Sequence, residues 1–330
     1  MNYNVLGKTG VFVSEVCFGT MTFGTEADEA ESTRMFHRCL DAGINFFDCA
    51  NNYSEGRAET ILGKFIKACR DDVIITTKVS QRVGKDVNAL GSSRRHIMQA
   101  IEQSLTRLNT DRIDLYFIHH FDPLTPIDET LRALDDVVRQ GKVLYLGVSN
   151  WAAWQIAKAL GISEKNHLAR FECIEPMYNL LKRQAEVEIL PLARAEKLGV
   201  IPYSPLAAGL LSGKYMDASA KGRIVEKQQY TKRYSSPRYY EIVQNFAQYA
   251  QTLGIKPSTL ALKWVMANPD ITAPIIGARN LAQLEDSLDA LTLELSSEDL
   301  THISALSDTP AIATDRLEEV LDATFKLRNR

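Results

Sequence analysis

The stretch NFFDCANNYSEGRAE, residues 45–59, joins a buried-looking strand to a helix through a short polar loop. The apolar run at residues 44–47 predicts the strand, and Asp48 follows it directly. Tyr53 lies in the loop, five residues after the carboxylate, and a helical pattern begins near Gly56. A strand that ends at a polar loop and leads into a helix is the repeating unit of alternating α/β folds.

The strand–loop–helix unit recurs along the chain. Eight short apolar runs predict strands at residues 16–18, 44–47, 73–77, 113–118, 144–148, 171–174, 200–203 and 271–276. Helical periodicity is present at residues 95–108, 127–139, 185–197, 257–267 and 281–291. Eight strands that alternate with helices predict a (β/α)8 TIM barrel, which forms a single domain over residues 1–330.

Two features stand outside this repeat. Residues 3–6 and 11–13 flank the turn signal GKTG and predict an N-terminal β-hairpin. The longest irregular stretch, residues 214–236, is rich in Lys, Arg, Tyr and Ser, and its length predicts a lid or a disordered segment. A doubly wound sheet is the alternative fold, but no G-x-G-x-x-G fingerprint follows the first strand.

The composition argues against several classes of protein. The 330 residues carry a formal net charge of −3, so no general basic surface for nucleic acid is expected. No apolar run approaches the roughly 18 residues of a membrane span, and the N-terminus lacks the basic start and apolar core of a secretory signal. The five cysteines are scattered without a CxxC pair, which favours a reducing cytoplasm. We therefore expect a cytoplasmic protein with no membrane or nucleic-acid partner, and a monomer by default.

Polar residues stand where most of the predicted strands end. They are Asp48, Lys78, His119, Ser149, Asn150 and Glu175. Because barrel enzymes carry their chemistry at the carboxyl ends of the strands, we expect these side chains to converge at one rim. A single charged residue there is typical of a solvated loop, whereas a converging set indicates an active site.

Four of the candidates make chemical sense together, namely Asp48, Tyr53, Lys78 and His119. A free phenol has a pKa of about 10, and a neighbouring ammonium lowers that pKa by favouring the phenolate. An aspartate fixes the lysine and a histidine donates a hydrogen bond to a substrate oxygen, so the group is suited to protonating a developing alkoxide. Asp48 and His119 alone fall short of three zinc ligands, so no metal is expected. We also expect only one of His119 and His120 to face the barrel axis, since adjacent strand residues point to opposite faces.

Five blocks of the sequence resemble those of the aldo-keto reductase family, and they stand in the family's order. They are FDCANNYSEGRAETILG, DLYFIHHFDP, GVSNW, YSPLAAGLLSGKY and IIGARNLAQLEDSL, and the resemblance spans residues 6–291. The form of YSPLAAGLLSGKY is closest to the bacterial and potassium-channel-β-subunit-like branches. The resemblance implies reduction of aldehydes or ketones with a nicotinamide nucleotide. It implies that Tyr53 is the general acid/base, that Lys78 and Asp48 tune it, and that His119 orients the carbonyl.

The resemblance also implies a set of cofactor-binding residues. They are Gly19, Thr20, Asp48, Ser149, Asn150, Glu175, Tyr203, Ser204, Leu206, Lys214, Gly277, Arg279, Gln283 and Asp286. A guanidinium suits a 2′-phosphate through paired hydrogen bonds, and Arg279 stands just before a predicted helix, whose N-terminus favours anions. NADP(H) is therefore expected in preference to NAD(H).

The sequence departs from the family pattern at two cofactor positions. Glu175 stands where the family usually has a glutamine that contacts the nicotinamide carboxamide, and our hypothesis is that its negative charge favours the oxidised nicotinamide. Asp286 stands where asparagine is common, which puts its contact with the adenine in doubt.

Two other functions remain as alternatives. One is a nucleotide-sensing regulatory module with slow turnover, and the other is a metal-dependent barrel hydrolase, which the ligand count disfavours. The sequence does not name the small carbonyl substrate. We expect specificity to come from residues 21–25, the region of Trp151 and residues 214–236.

Overall fold

Eight parallel strands form the centre of the molecule. The structure is a computed structural model that describes residues 1–217 and 219–315. The domain expected from the sequence runs to residue 330, and its residues 316–330 lie outside the described part. The strands are β3 (Cys17–Gly19), β4 (Phe46–Asp48), β5 (Ile74–Val79), β6 (Ile113–Ile118), β7 (Val143–Ser149), β8 (Phe171–Glu175), β9 (Gly199–Val200) and β10 (Ile275–Ile276).

The sheet closes on itself to make the predicted (β/α)8 barrel. Its ladder runs β10-β3-β4-β5-β6-β7-β8-β9, with parallel pairing throughout. Backbone hydrogen bonds join the two ends of that order, from Ala273 N to Val200 O at 3.3 Å and from Ile275 N to Pro202 O at 2.9 Å. The fold predicted from the sequence is confirmed.

The predicted strands at residues 200–203 and 271–276 are shorter in the structure than in the sequence pattern. Pro202 and Pro274 lie inside these runs and have no backbone N–H to donate to a ladder. The regular ladder is therefore confined to β9 and β10, and the residues beside the prolines join the barrel through single hydrogen bonds.

Helices fill the space between the strands. In chain order they are α1 (Glu29–Asp41), α2 (Arg57–Ile66), α3 (Arg94–Leu108), α4 (Ile127–Arg139), α5 (Ala153–Asn166), α6 (Ile189–Glu196), α7 (Arg223–Glu226), α8 (Gln228–Arg233), α9 (Pro237–Thr252), α10 (Pro257–Met266), α11 (Leu281–Leu288) and α12 (Ser297–Ala305). The predicted helix at residues 127–139 is confirmed residue for residue. In the part of the chain that is described, no helix is both long enough and apolar enough to cross a membrane.

The alternation of side chains separates two apolar layers. In β6, Leu115 and Phe117 belong to the cluster inside the barrel, whereas Tyr116 and Ile118 belong to the layer between sheet and helices. Gly147 on β7 makes room for the Phe117 ring, because a Cβ there would overlap it. The interior is thus packed with side chains, as barrels of this size are.

The N-terminal hairpin predicted from GKTG is present and closes one end of the barrel. Strands β1 (Tyr3–Val5) and β2 (Phe12–Ser14) pair antiparallel. Leu6 and Val13 are buried in the same cluster as the barrel interior. The opposite end, at the carboxyl ends of the strands, is left for the functional site.

The insertion at residues 214–236 is more regular than its composition suggests. A short 3-10 helix at Lys214–Met216 precedes α7 and α8. Ile224, Tyr230 and Tyr234 are buried and tie the insertion to the main core. The described residues of this segment are therefore folded, and burial of these apolar side chains gives the physical reason.

Candidate active site

The side chains at the rim project from the inner face of the sheet. The register aligns Gly19 with Asp48 and Asp48 with Thr76, on three successive strands. Residues two apart on a strand point to the same side, so Lys78 projects into the barrel above Thr76. Glu175 follows Cys173 by two residues and projects inward from β8 by the same rule, and Cys173 lies in the interior cluster.

Lys78 is fully buried and held by Asp48. Its Nζ lies 2.5 Å from Oδ1 and 2.6 Å from Oδ2 of Asp48, and it donates to the carbonyl oxygen of Cys49 at 3.0 Å. Thr76 Oγ1 donates to Asp48 Oδ1 at 2.5 Å. These bonds fix the position of the ammonium group.

Glu175 is a second carboxylate beside the same ammonium. Its Oε2 lies 3.3 Å from Lys78 Nζ, and its side chain is 3% exposed. That oxygen accepts no hydrogen bond from the described residues. Burial raises the pKa of Glu175 to about 8; the Lys78 charge opposes this rise and the Asp48 charge adds to it.

Tyr53 stands above Lys78 at the edge of the cavity. Lys78 Nζ lies 5.2 Å from the centroid of the phenol ring. Ser54 and Glu55 take left-handed conformations just after it, and Ser54 Oγ donates to Phe23 O at 2.6 Å, which anchors the turn. Within the described ranges, the Tyr53 hydroxyl has no hydrogen-bond partner.

The pKa of Tyr53 is raised, although the sequence predicts that an ammonium would lower it. Burial is the larger effect, and it disfavours the phenolate more than the Lys78 charge favours it. Asp48 and Glu175 raise the pKa of the phenol further. The phenol therefore holds its proton at neutral pH.

His119 meets Tyr53 edge to face, with ring centroids 6.0 Å apart. Its pKa is well below the ordinary value because burial and the Lys78 charge disfavour the imidazolium. The imidazole is therefore neutral near pH 7 and carries one N–H donor. Its Nδ1 is buried and has no hydrogen-bond partner in the described part of the chain.

The expectation that only one of His119 and His120 faces the barrel axis is wrong. Strand β6 ends at Ile118, so the alternation of strand side chains does not extend to these two residues. Their rings stack at 5.1 Å and both line the cavity. In residues 1–217 and 219–315 no cluster of three or more potential metal ligands is found.

Asn150 ties three strands together at the rim. It adopts a left-handed conformation, with φ of 59°. Its Nδ2 donates to His119 O at 3.0 Å, and its Oδ1 accepts from the Tyr203 hydroxyl at 2.6 Å. Ser149 Oγ lies behind it and donates to Glu175 O at 3.0 Å. The amide group is thereby held rigidly against the cavity.

A cavity of about 560 Å³ opens at this end of the barrel. Most of the residues expected from the sequence line it: Gly19, Asp48, Tyr53, His119, Asn150, Glu175, Tyr203, Ser204, Leu206, Lys214, Gly277, Arg279, Gln283 and Asp286. Thr20, Lys78 and Ser149 are buried behind the wall. The fold thus brings residues that lie far apart in the chain to one cavity.

The cavity wall carries cationic side chains. Lys214, Arg223 and Arg279 line it. Lys214 and Arg279 form no ion pair with the described residues, and Arg223 pairs at 3.5 Å with Glu26 while its buried Nε lacks a hydrogen bond. Uncompensated cations beside an orphaned donor are suited to phosphate groups. The donor set therefore fits a nicotinamide nucleotide, with these cations suited to its phosphates and the Asn150 amide suited to its carboxamide.

Two expected cofactor residues have additional partners. Gln283 Oε1 accepts from the backbone N–H of Arg279 at 3.1 Å, which orders the segment before α11. Asp286 Oδ1 binds Lys256 Nζ at 2.6 Å. Asp286 still lines the cavity, but part of its carboxylate is already engaged.

Several cavity residues were missed by the sequence reasoning. They are Asn52, Gln81, His120, Arg223, Gln229, Tyr230 and Arg233. Four of them come from α7 and α8, inside the stretch interpreted only as a lid or a disordered segment, where no spacing rule singles out a residue. Trp151, considered as a possible substrate contact, is 5% exposed and packs between Phe121 and Phe171.

Comparison with known proteins gives a consistent result. The family model for the aldo/keto reductase family matches residues 15–308. An uncharacterized oxidoreductase, YrpG, of Bacillus subtilis (strain 168) is 39% identical, over 94% of this chain and 97% of that protein. A probable voltage-gated potassium channel subunit beta of Oryza sativa subsp. japonica is 35% identical, over 88% of this chain and 91% of that protein. A putative aryl-alcohol dehydrogenase of Schizosaccharomyces pombe is 33% identical, over 91% of this chain and 94% of that protein.

Proposed function

The chain belongs to the aldo/keto reductase family, and we propose that it is an NADP(H)-dependent oxidoreductase that reduces aldehydes or ketones to alcohols. One observation carries the proposal: the Tyr53 phenol stands over a buried Lys78–Asp48 ion pair and beside a neutral His119, at the wall of a cavity that is also lined by cationic side chains.

Each residue around the phenol has a distinct task. NADPH supplies a hydride to the carbonyl carbon when it is bound. Tyr53 gives its hydroxyl proton to the carbonyl oxygen, and the Lys78 ammonium stabilises the phenolate that remains. Asp48 holds the ammonium in place through two short contacts. The neutral His119 donates a hydrogen bond that orients the carbonyl and stabilises the developing negative charge.

The cofactor would be held by the residues that line the rest of the cavity. Asn150 and Glu175 suit the carboxamide, and Tyr203 presents its ring beside them. Lys214 and Arg223 suit the pyrophosphate, and Arg279 suits a 2′-phosphate. The preference for NADP(H) rests on Arg279, which is half-buried in the cavity wall and carries no ion pair among the described residues.

The test is aldehyde-dependent consumption of NADPH, followed by the absorbance of the reduced nicotinamide over a panel of aldehydes and ketones. NADH serves as the comparison for the 2′-phosphate. Turnover with NADPH supports the proposal. Tight NADPH binding without turnover on any carbonyl contradicts it.

A nucleotide-sensing module with slow turnover is the second candidate function. It is favoured by the similarity to relatives named as potassium channel beta subunits. Cofactor binding at normal affinity, with turnover too slow to measure over the panel, would support the sensor. We also propose that the protein is a cytoplasmic monomer that acts on a small carbonyl compound. Size-exclusion chromatography with light scattering tests the oligomeric state.

A further inference from the structure

Two buried carboxylates share a single ammonium group. Asp48 is well paired: both of its oxygens contact Lys78, and Thr76 donates to one of them. Glu175 has a longer contact, 3.3 Å from its Oε2 to Lys78 Nζ, and its other hydrogen-bonding neighbour is the uncharged Ser149 hydroxyl. When both acids are ionised, the trio carries one negative charge too many, and the poorly paired Glu175 is the natural place for a proton.

The groups that face Glu175 do not remove this excess charge. Asp48 on β4 is an anion, and Tyr53 and Tyr203 are neutral phenols in contact with the same cavity. Cys17 and Cys173 are buried, with their thiol pKa values well above the ordinary value. In the described ranges Lys78 is the one cation within ion-pair distance of Glu175. The raised pKa of Glu175, about 8, agrees with this arrangement.

Glu175 also belongs to the cavity wall on the carboxamide side. Its backbone oxygen accepts from Ser149 Oγ at 3.0 Å, beside Asn150. A glutamine there would offer a fixed donor and a fixed acceptor, whereas a glutamic acid offers a donor only when it is protonated. The chemical character of this wall therefore changes with the proton on Glu175.

We propose that Glu175 exchanges a proton with solvent when the cofactor changes redox state, so that the preference between NADP⁺ and NADPH depends on pH. The proposal rests on the function proposed above. The ionised carboxylate complements the positive charge of the oxidised nicotinamide ring. The protonated carboxyl group donates a hydrogen bond to the carboxamide oxygen of the neutral, reduced form.

The direction in which the cofactor preference changes with pH follows from the linkage between proton binding and cofactor binding. NADP⁺ favours the ionised Glu175, so its binding lowers the pKa of that group and releases a proton. NADPH favours the protonated group and retains it. As pH rises through the pKa of Glu175, affinity for NADP⁺ therefore increases relative to affinity for NADPH.

The first test measures the dissociation constants of NADP⁺ and NADPH between pH 6 and pH 9 for the wild type and Glu175→Gln. The 2′-phosphate titrates in both cofactors and cancels in the ratio of the two constants. We expect the wild-type ratio of the NADPH constant to the NADP⁺ constant to rise about tenfold with pH, which corresponds to about 30 mV in the potential of the bound two-electron couple. Glu175→Gln removes the titrating group, and its ratio stays constant within about twofold.

Glu172→Gln is the matched control. Glu172 lies on the same strand, has an orphaned oxygen and has a raised pKa, as Glu175 does. Its odd spacing from Glu175 directs its side chain to the other face of the sheet, and it does not line the cavity. This variant keeps the wild-type pH dependence if the effect is specific to Glu175.

A second readout follows the proton itself. Calorimetric titrations of NADP⁺ at pH 7, in two buffers of different ionisation enthalpy, report the number of protons released. We expect the wild type to release more protons than Glu175→Gln on binding NADP⁺, and no such difference on binding NADPH.

The outcomes separate the two proposals. A wild-type ratio that does not change with pH, or an equal slope in Glu175→Gln, overturns this inference while leaving the reductase intact. Aldehyde turnover tests the reductase alone and does not affect the binding ratio. Failure of both NADP⁺ and NADPH to bind overturns both.

Discussion

Lys78 Nζ lies 2.5 Å from Asp48 Oδ1, and both side chains are almost entirely buried. An isolated buried ammonium would lose its charge, but here the aspartate keeps the pKa of Lys78 well above the ordinary value. A permanent positive charge is thereby fixed beneath the Tyr53 ring. The predictions below follow from this charge and from the groups around it.

Replacing Tyr53 with phenylalanine removes the proposed proton donor and little else. We expect carbonyl reduction to fall by about 10³-fold, the scale of general acid catalysis, with NADPH affinity unchanged. Steady-state kinetics and cofactor fluorescence measure the two quantities. Tyr249→Phe is the control, since Tyr249 bonds Asp299 on the outer helices and lies away from the cavity. Substantial activity in Tyr53→Phe contradicts the mechanism.

The pH profile of reduction should be flat across neutrality. The acid form of Tyr53 is required, and its raised pKa keeps the phenol protonated throughout this range. Neutral His119 is required, and its lowered pKa keeps it neutral well below pH 6.5. We expect no titration in kcat/KM for reduction between pH 6 and pH 7.5. If kcat/KM of the wild type changes with a midpoint near pH 6.5, and kcat/KM of His119→Gln does not, the pKa of His119 is not lowered and this prediction is wrong.

Glu175 should make the folded protein less stable as pH rises. Its pKa is about 8 in the native state and about 4.3 when unfolded. Between these values the native state binds more protons, so the free energy of unfolding falls by up to about 1.4 kcal/mol per pH unit. Glu175→Gln removes this dependence, and urea unfolding at pH 5, 6.5 and 8 measures the difference.

The control for that experiment is Glu294→Gln, which alters an exposed carboxylate outside any ion pair among the described residues. It should follow the wild-type pH dependence. If Glu175→Gln also follows the wild type from pH 5 to 8, Glu175 titrates alike in both states and its raised pKa is refuted.

Arg279 should discriminate NADPH from NADH. Its guanidinium lines the cavity and forms no ion pair with the described residues, and a charge-assisted hydrogen bond contributes about 1.5–3 kcal/mol. Arg279→Gln should therefore raise the dissociation constant of NADPH about 10- to 100-fold and leave that of NADH almost unchanged. Arg34→Gln, which removes an exposed arginine from α1, is the control. Equal losses for both cofactors would remove Arg279 from the 2′-phosphate.

An ion pair between a buried carboxylate and a half-buried guanidinium supports the segment that follows Tyr53. Arg107 Nε lies 2.6 Å from Glu59 Oε2, and Thr77 Oγ1 donates to Glu59 Oε1 at 2.5 Å, so α2 is tied to α3 and β5. Arg107→Met leaves the fully buried Glu59 without its counter-ion, and we expect a loss of about 3 kcal/mol. Denaturant unfolding measures the loss.

The comparison for Arg107 is Arg139→Met, which removes the exposed partner of Asp135 and should cost much less stability, because solvent screens an exposed charge. Equal losses in the two variants would show that burial does not set the cost.

The sequence was sufficient to predict that the side chains of Asp48, Lys78 and Glu175 lie on the same side of the sheet. Each ends or follows an apolar strand pattern, and alternation along a strand is a local geometric rule. The same rule failed for His120, because β6 had already ended at Ile118. The alternation of side chains can be used only for residues that lie within a β-strand.

The insertion shows a different kind of limit. Its composition predicted a lid or a disordered segment, whereas Ile224 and Tyr230 are buried against the barrel and bring Arg223 to the cavity. The segment is also held by a distant part of the chain, since Glu26 pairs with Arg223 and Lys227, and no pattern within residues 214–236 encodes these contacts.

The sequence by itself determined the barrel, the strand-end residues and the tyrosine with its lysine and aspartate, because these follow from periodicity and from the order of the motifs. Only the tertiary structure decided that Glu175 approaches Lys78 within 3.3 Å and that burial outweighs the ammonium at Tyr53. Distances across a closed barrel and the removal of water depend on all eight strands together. The balance of charge and burial that sets a pKa is therefore a property of the folded site.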